Sequence, residues 1–350
     1  MQKSEYAPLV EVTRGDIVES THFGAFAAAF PDGRLLAYAG DPGLVTYPRS
    51  SMKPLQALPF MERGGAETFG FNGQEIAIMC ASHAGTDQHF QVLEGMHKKI
   101  GISESDLACG VHWPSDAETR IAMKIAGREP TPFRHNCSGK QTGMLAYARM
   151  RKLETKAYLD PQHPVQVSIR ETLAEMVEMK PDEMPLGTDG CSAPVYGIPL
   201  RNMALGVAKL ADPRRLVENR ADACRTITAA MMAYPLMVAG PGKFDTRLMT
   251  AAAGKVFSKG GAEGYQIVGV MPGVIRKDSP GLGIAIKISD GDPGGRARSA
   301  VVLKMLHDLG VLDESDLEGL APFGSVPVKN WRGIEVGAIR CVFSMTKTVG

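Results

Sequence analysis

The sequence lacks any surplus of one charge: 39 lysines and arginines stand against 38 aspartates and glutamates, a formal net charge of +1. With no basic stripe, nucleic acid is not an expected partner. No apolar run approaches the roughly 20 residues that a membrane span needs, so no membrane partner is expected either. The opening stretch MQKSEYAPLVEVTRGD has no apolar signal segment and predicts a cytoplasmic protein. Cysteine is sparse. The six, at positions 80, 109, 137, 191, 224 and 341, are far apart in a long chain, which argues against a disulfide scaffold and leaves reduced thiols or a metal site. Repeats, low-complexity tracts and long linkers are absent as well. What is present in quantity is apolar residue, 44% of 350 positions, ample for one large core or two interlocked ones. The 39 glycines and 23 prolines predict many tight turns, and the 19 methionines suit adaptable core filler.

Residues 8–39 alternate as strands, with Pro31-Asp32-Gly33 as a hairpin turn. The stretch KPLQALPFMERG predicts a buried helix carrying Leu55, Leu58 and Phe60. Helical patterns and polar loops follow as far as about residue 250; QEIAIMCASHAG, HFQVLEGMHKKIG, KQTGMLAYARMRKL, VSIRETLAEMVEMK and RTITAAMMAYPLMVAG are the clearest helices. GKVFSKGGAEGYQIVGVMPG and GLGIAIKISDG return to strand, and Gly260, Gly261 and Gly264 mark a place where another group approaches the backbone closely. GGRARSAVVLKMLHDLG is an amphipathic helix ending at Gly310, and the tail, 321–350, adds a strand. The order predicts an α/β sandwich, one catalytic unit over 1–350: antiparallel sheet halves at about 8–47 and 254–350, with a mostly helical insertion at about 54–250.

Several clusters carry chemistry. Ser50-Ser51-Met52-Lys53 reads as S-x-x-K; on a helix that spacing puts Ser50 and Lys53 on one face, where an amine can take the hydroxyl proton. Pro54 fits the first helical turn. Cys80-Ala81-Ser82-His83-Ala84-Gly85-Thr86 is a tight loop that can present a hydroxyl. His135-Asn136-Cys137-Ser138-Gly139-Lys140-Gln141-Thr142-Gly143 sets a thiol and an amine three residues apart; its GKQTG lacks the leading glycine of a phosphate loop. Gly187-Thr188-Asp189-Gly190-Cys191 presents a carboxylate beside a second thiol, and the two distant cysteines could share a metal or simply be small buried residues. Ser258-Lys259-Gly260-Gly261 opens a strand with a second lysine, which could help keep Lys53 neutral or bind a substrate carboxylate. S-x-x-K, a later hydroxyl loop and a K-G-G strand occur in the order used by serine β-lactamases, penicillin-binding enzymes and the glutaminase fold, although the middle motif is not S-x-N.

Over nearly its whole length the chain resembles the bacterial asparaginase II family, the type represented by the Rhizobium etli asparaginases. The resemblance lies in YPRSSMKPLQALP, CASHAGTDQH, RHNCSGKQTGML, GTDGCSAPVYGIPL, MVAGPGKFDT, SKGGAEGY and NWRGIEVG. It implies a serine β-lactamase/glutaminase-like fold, a cytoplasmic homodimer, and hydrolysis of L-asparagine to L-aspartate and ammonia. It further implies two Ser–Lys tandems, Ser50 with Lys53 and Ser82 with Lys259, and a zinc site at Cys137, Lys140 and Cys191 that aids substrate binding. A lysine ligates only as the neutral amine, which the metal itself would enforce. Charge complementarity then assigns Arg49 to the substrate α-carboxylate and Asp189 to its α-ammonium, with His135 and Asn136 beside the pocket. The rival expectations are a serine β-lactamase or penicillin-binding-type esterase or amidase, a hydrolase whose zinc activates water, and a non-catalytic zinc-binding protein.

Overall fold

The computed structural model describes residues 6–348; the first five residues of the stretch read for a leader lie outside it. The chain forms two compact units. Among the described residues, unit one takes 6–51, Ile198–Asp212 and 247–348; unit two is Met52–Gly197 with Pro213–Thr246.

Unit one is built on an antiparallel sheet. Its strand order is Val326–Lys329, Glu335–Cys341, Ala7–Arg14, Ile17–Ala29, Leu282–Ile288, Tyr265–Val270, Val256–Gly260, and the short strands Leu35–Ala39 and Thr346–Lys347 pair off this path. The hairpin expected at Pro31-Asp32-Gly33 joins Ile17–Ala29 to Leu35–Ala39. Ala25 to Ala29 are all buried and pair with Gly283 to Lys287. Every residue of Leu282–Ile288 is buried, so both faces of the sheet are covered there. Helices Leu200–Ala211 and Arg298–Asp308 pack against these strands. The tail supplies three short strands where one was expected. The first helix, Leu200–Ala211, interrupts the expected insertion. Ten of its twelve residues are buried, including Lys209.

Unit two is helical. Lys53–Met61, Gly73–Met79, Ser138–Met150, Pro164–Val177 and Glu218–Ala233 pack on one another, and Asp87–Ile100 joins them through Ser138–Met150. Lys53–Met61 is buried at all nine positions, and Pro54 lies in its first turn, where its missing N–H costs nothing. Thr86 caps Asp87–Ile100 by accepting the His89 N–H, which ends the CASHAG loop. Among the described residues, no helix is long and apolar enough to cross a membrane.

Candidate active site

Unit one holds Arg49, Ser50 and Lys259. Ser50 lies in a 3₁₀ turn, Arg49–Met52, and the α-helix begins only at Lys53; the S-x-x-K motif therefore straddles a change of helix type. Arg49, immediately before Ser50, sits in the left-handed region at φ 53°. Such a conformation in a non-glycine residue persists only when its surroundings enforce it. Ser51 does part of that work. It is fully buried, and its Oγ donates to the Lys259 carbonyl at 2.9 Å, tying the segment that carries Ser50 to the end of strand Val256–Gly260. Two residues on, a Cβ at Gly261 would stand 2.4 Å from the Pro48 carbonyl oxygen, the close backbone approach that the glycine run predicts. Lys259 is 1% exposed, and its Nζ donates to the Gly260 carbonyl at 2.6 Å.

Unit two holds the other residues. The Lys53 Nζ, 1% exposed at the helix start, donates to the Ala81 carbonyl at 2.5 Å, to Ser82 Oγ at 3.0 Å and to the Asn136 carbonyl at 3.3 Å. Two backbone carbonyls thus aim the amine at one hydroxyl. Spacing alone pairs Lys53 with Ser50; the hydrogen bond in the structure joins it to Ser82. The Ser82 loop is fixed by its own N–H, which donates to the Val238 carbonyl at 3.0 Å. Ser82 is half-buried.

Beside this pair, Cys137, Lys140 and Cys191 converge, all three buried. Lys140 Nζ donates to Cys191 Sγ at 3.0 Å, and the two cysteines are hydrogen-bonded to each other. A hydrogen bond from Cys191 pulls the Cys137 thiol well below its ordinary value; burial opposes this, and the charges of Lys53 and Lys140 assist. Cys191 moves the other way, raised by the same hydrogen bond and by burial. Lys140 sits in the first turn of Ser138–Met150, the positive end of that helix, where a cation is disfavoured. Burial lowers its pKa, yet the Cys137 and Cys191 sulfurs outweigh burial and raise it.

Two sulfurs and an amine make a donor set that would suit zinc, if the lysine binds as the free amine. Among the described residues there is no group of three His, Cys, Asp or Glu side chains placed to hold a metal; this set reaches three donors only by counting the lysine. Asp189 stays near it, its charge raising the Lys140 pKa, and its N–H donates to the Ala193 carbonyl. His135 Nδ1 accepts the Cys137 N–H at 3.0 Å, so that edge of the ring is occupied; Asn136 is half-buried.

Several groups at the site have no sequence signature. The Ala81 and Asn136 carbonyls are backbone and carry none. Gln141 Nε2 donates to the Cys191 carbonyl at 2.8 Å, and Tyr158 in turn donates to Gln141 Oε1. Gln141 stands next to Lys140 in the motif, and that adjacency is the one sign of its role.

The model of the family described as L-asparaginase II matches residues 10–341. A search of the curated proteins found no significant match. Among solved structures, a Bacillus glutaminase in 4.3 M NaCl aligns at 15% identity and TM-score 0.39, covering 83% of this chain and 92% of that one. A probable glutaminase from Bacillus subtilis aligns at 16% identity and TM-score 0.39, covering 82% and 88%.

Proposed function

We propose, from the premise that this chain belongs to the L-asparaginase II family and is an amidohydrolase, that its substrate is L-asparagine and its products are L-aspartate and ammonia. The observation that carries the mechanism is the Lys53–Ser82 hydrogen bond, with two carbonyls directing the amine. Ser50, three residues before Lys53 in the chain, is the nucleophile. With two N–H bonds held by the Ala81 and Asn136 carbonyls, the Lys53 amine acting as base uses its lone pair to take the Ser50 Oγ–H proton while Oγ bonds to the side-chain amide carbon of asparagine. The proton then moves from Lys53 through the Ser82 hydroxyl to the leaving nitrogen, the C–N bond breaks, and ammonia departs. Water attacks the resulting β-aspartyl ester and gives its proton to Lys53; Ser50 Oγ recovers one as aspartate leaves. Lys259 completes the second Ser–Lys tandem with Ser82, its charge favouring the oxyanion or a substrate carboxylate.

Arg49 binds the α-carboxylate and Asp189 the α-ammonium, flanked by His135 and Asn136. Cys137, Lys140 and Cys191 would hold a zinc ion, whose charge, when it is bound, strengthens substrate binding. The functional unit in this reading is a homodimer, which sedimentation would check. The test of function is ammonia release from asparagine and from glutamine, with zinc measured on the same sample. Turnover of asparagine ahead of glutamine supports the reading. No ammonia from either, in zinc-replete protein, overturns it.

A further inference from the structure

The three acceptors around Lys53 Nζ come from two separate segments. Ala81 and Ser82 belong to the loop after helix Gly73–Met79; Asn136 belongs to the loop before helix Ser138–Met150. His83 joins them. Its Nδ1 accepts the Gly85 N–H at 3.2 Å, which leaves the ring proton on Nε2, 2.9 Å from Ser138 Oγ. The Ser138 hydroxyl accepts that proton's bond and donates its own to the His135 carbonyl at 2.8 Å. The ring is 1% exposed and stacks on His89 with centroids 4.9 Å apart. Burial, His89 and Lys53 all lower its pKa, in keeping with a neutral strut. Nothing in the mechanism above uses His83, and a buried imidazole satisfied at both nitrogens is a rigid spacer.

We propose that His83, acting through Ser138, is a positioning residue for the Lys53–Ser82 pair: it sets the distance between the two segments whose oxygens surround the lysine amine. The inference rests on the reading of Lys53 and Ser82 as proton-transfer groups. A reacting group displaced by about 1 Å can lose up to about a hundredfold in rate.

The test is the kcat and KM for ammonia release, with Tm, in His83→Asn, His83→Gln, Ser138→Ala, the His83→Asn/Ser138→Ala double variant, and Ser82→Ala. Asparagine at 83 keeps an acceptor for the Gly85 N–H but cannot reach Ser138; glutamine places a donor where Nε2–H stood. The expected result is a fall in kcat of about tenfold or more in His83→Asn and in Ser138→Ala, with KM within about threefold of wild type. The double variant is no slower than the slower single, because both remove one bond. His83→Gln recovers to within about threefold of wild type. The proposal is overturned if the Asn and Ala variants keep wild-type kcat, if their losses multiply in the double variant, or if His83→Gln restores Tm but not kcat. Ser138→Ala, the loss of one oxygen, keeps the test open should the His83 variants fold poorly. If Ser82→Ala itself turns over at the wild-type rate, the underlying reading fails instead, and the two failures are told apart.

Discussion

Acid should unfold this protein through its buried histidines, and His89 allows the size to be worked out. The ring is fully buried. Its Nε2 donates to the Leu236 carbonyl at 3.0 Å, and its Nδ1 accepts the Thr86 N–H at 3.2 Å, so the neutral ring is satisfied at both ends. Burial pulls its pKa from 6.5 to about 4. In the unfolded chain the ring takes up a proton as pH drops below its ordinary value; in the folded chain it does not until about 4. The unfolded state therefore binds more protons between those values, and stability is lost as pH falls through that window. A tenfold difference in proton affinity between the two states corresponds to about 1.4 kcal/mol, so between pH 7.5 and pH 4.5 this one ring loses about 2.5 kcal/mol. Urea unfolding at the two pH values, for wild type and His89→Gln, isolates it: carboxylates titrate alike in both proteins, so the difference between the two losses belongs to residue 89. Wild type should lose about 2.5 kcal/mol more than the variant on acidification. Equal losses would refute the reasoning, since they would mean that the native ring accepts a proton as easily as the unfolded one.

Gly139→Ala should lower Tm, because its Cβ would stand 2.1 Å from the Ile78 carbonyl oxygen, a backbone atom that cannot swing aside. Overpacking costs about 1–3 kcal/mol, against about 1 kcal/mol gained in helix propensity; an unchanged or raised Tm refutes the close approach. Cys137→Ser should lose zinc by atomic absorption and raise KM, and full zinc content in that variant would refute the ligand assignment. Ser50→Ala should abolish ammonia release with circular dichroism unchanged. Ser51→Ala, which removes the buried bond to the Lys259 carbonyl, should cost about 1 kcal/mol in urea unfolding; no loss there would mean that the tie between the two segments carries no energy.

The strands of 7–39, the buried helix at Lys53–Met61 and the amphipathic helix at Arg298–Asp308 are legible in the sequence because period and turn chemistry agree there. The placement of Leu200–Ala211 in unit one is not: membership of a unit is decided by long-range packing, which local pattern does not encode. At the site, short spacing exposes Ser50 with Lys53, but the partner the lysine meets, Ser82, lies 29 positions on and comes in by a loop. Lys140 is visible only through family resemblance, since an amine is not among the side chains that metal-ligand spacing brings to mind. His83 beside Ser82, and Gln141 beside Lys140, stand in plain view in their motifs. What they bond to, Ser138 Oγ and the Cys191 carbonyl, is fixed only by the fold.

The central claim is that Ser50 attacks while Ser82 relays the proton. A diazoketone analogue of asparagine, incubated with the zinc-loaded protein and followed by peptide mass mapping, tests it most directly. The account predicts a single adduct on Ser50, with labelling slowed but not relocated in Ser82→Ala. An adduct on Ser82 in the wild-type protein would contradict it.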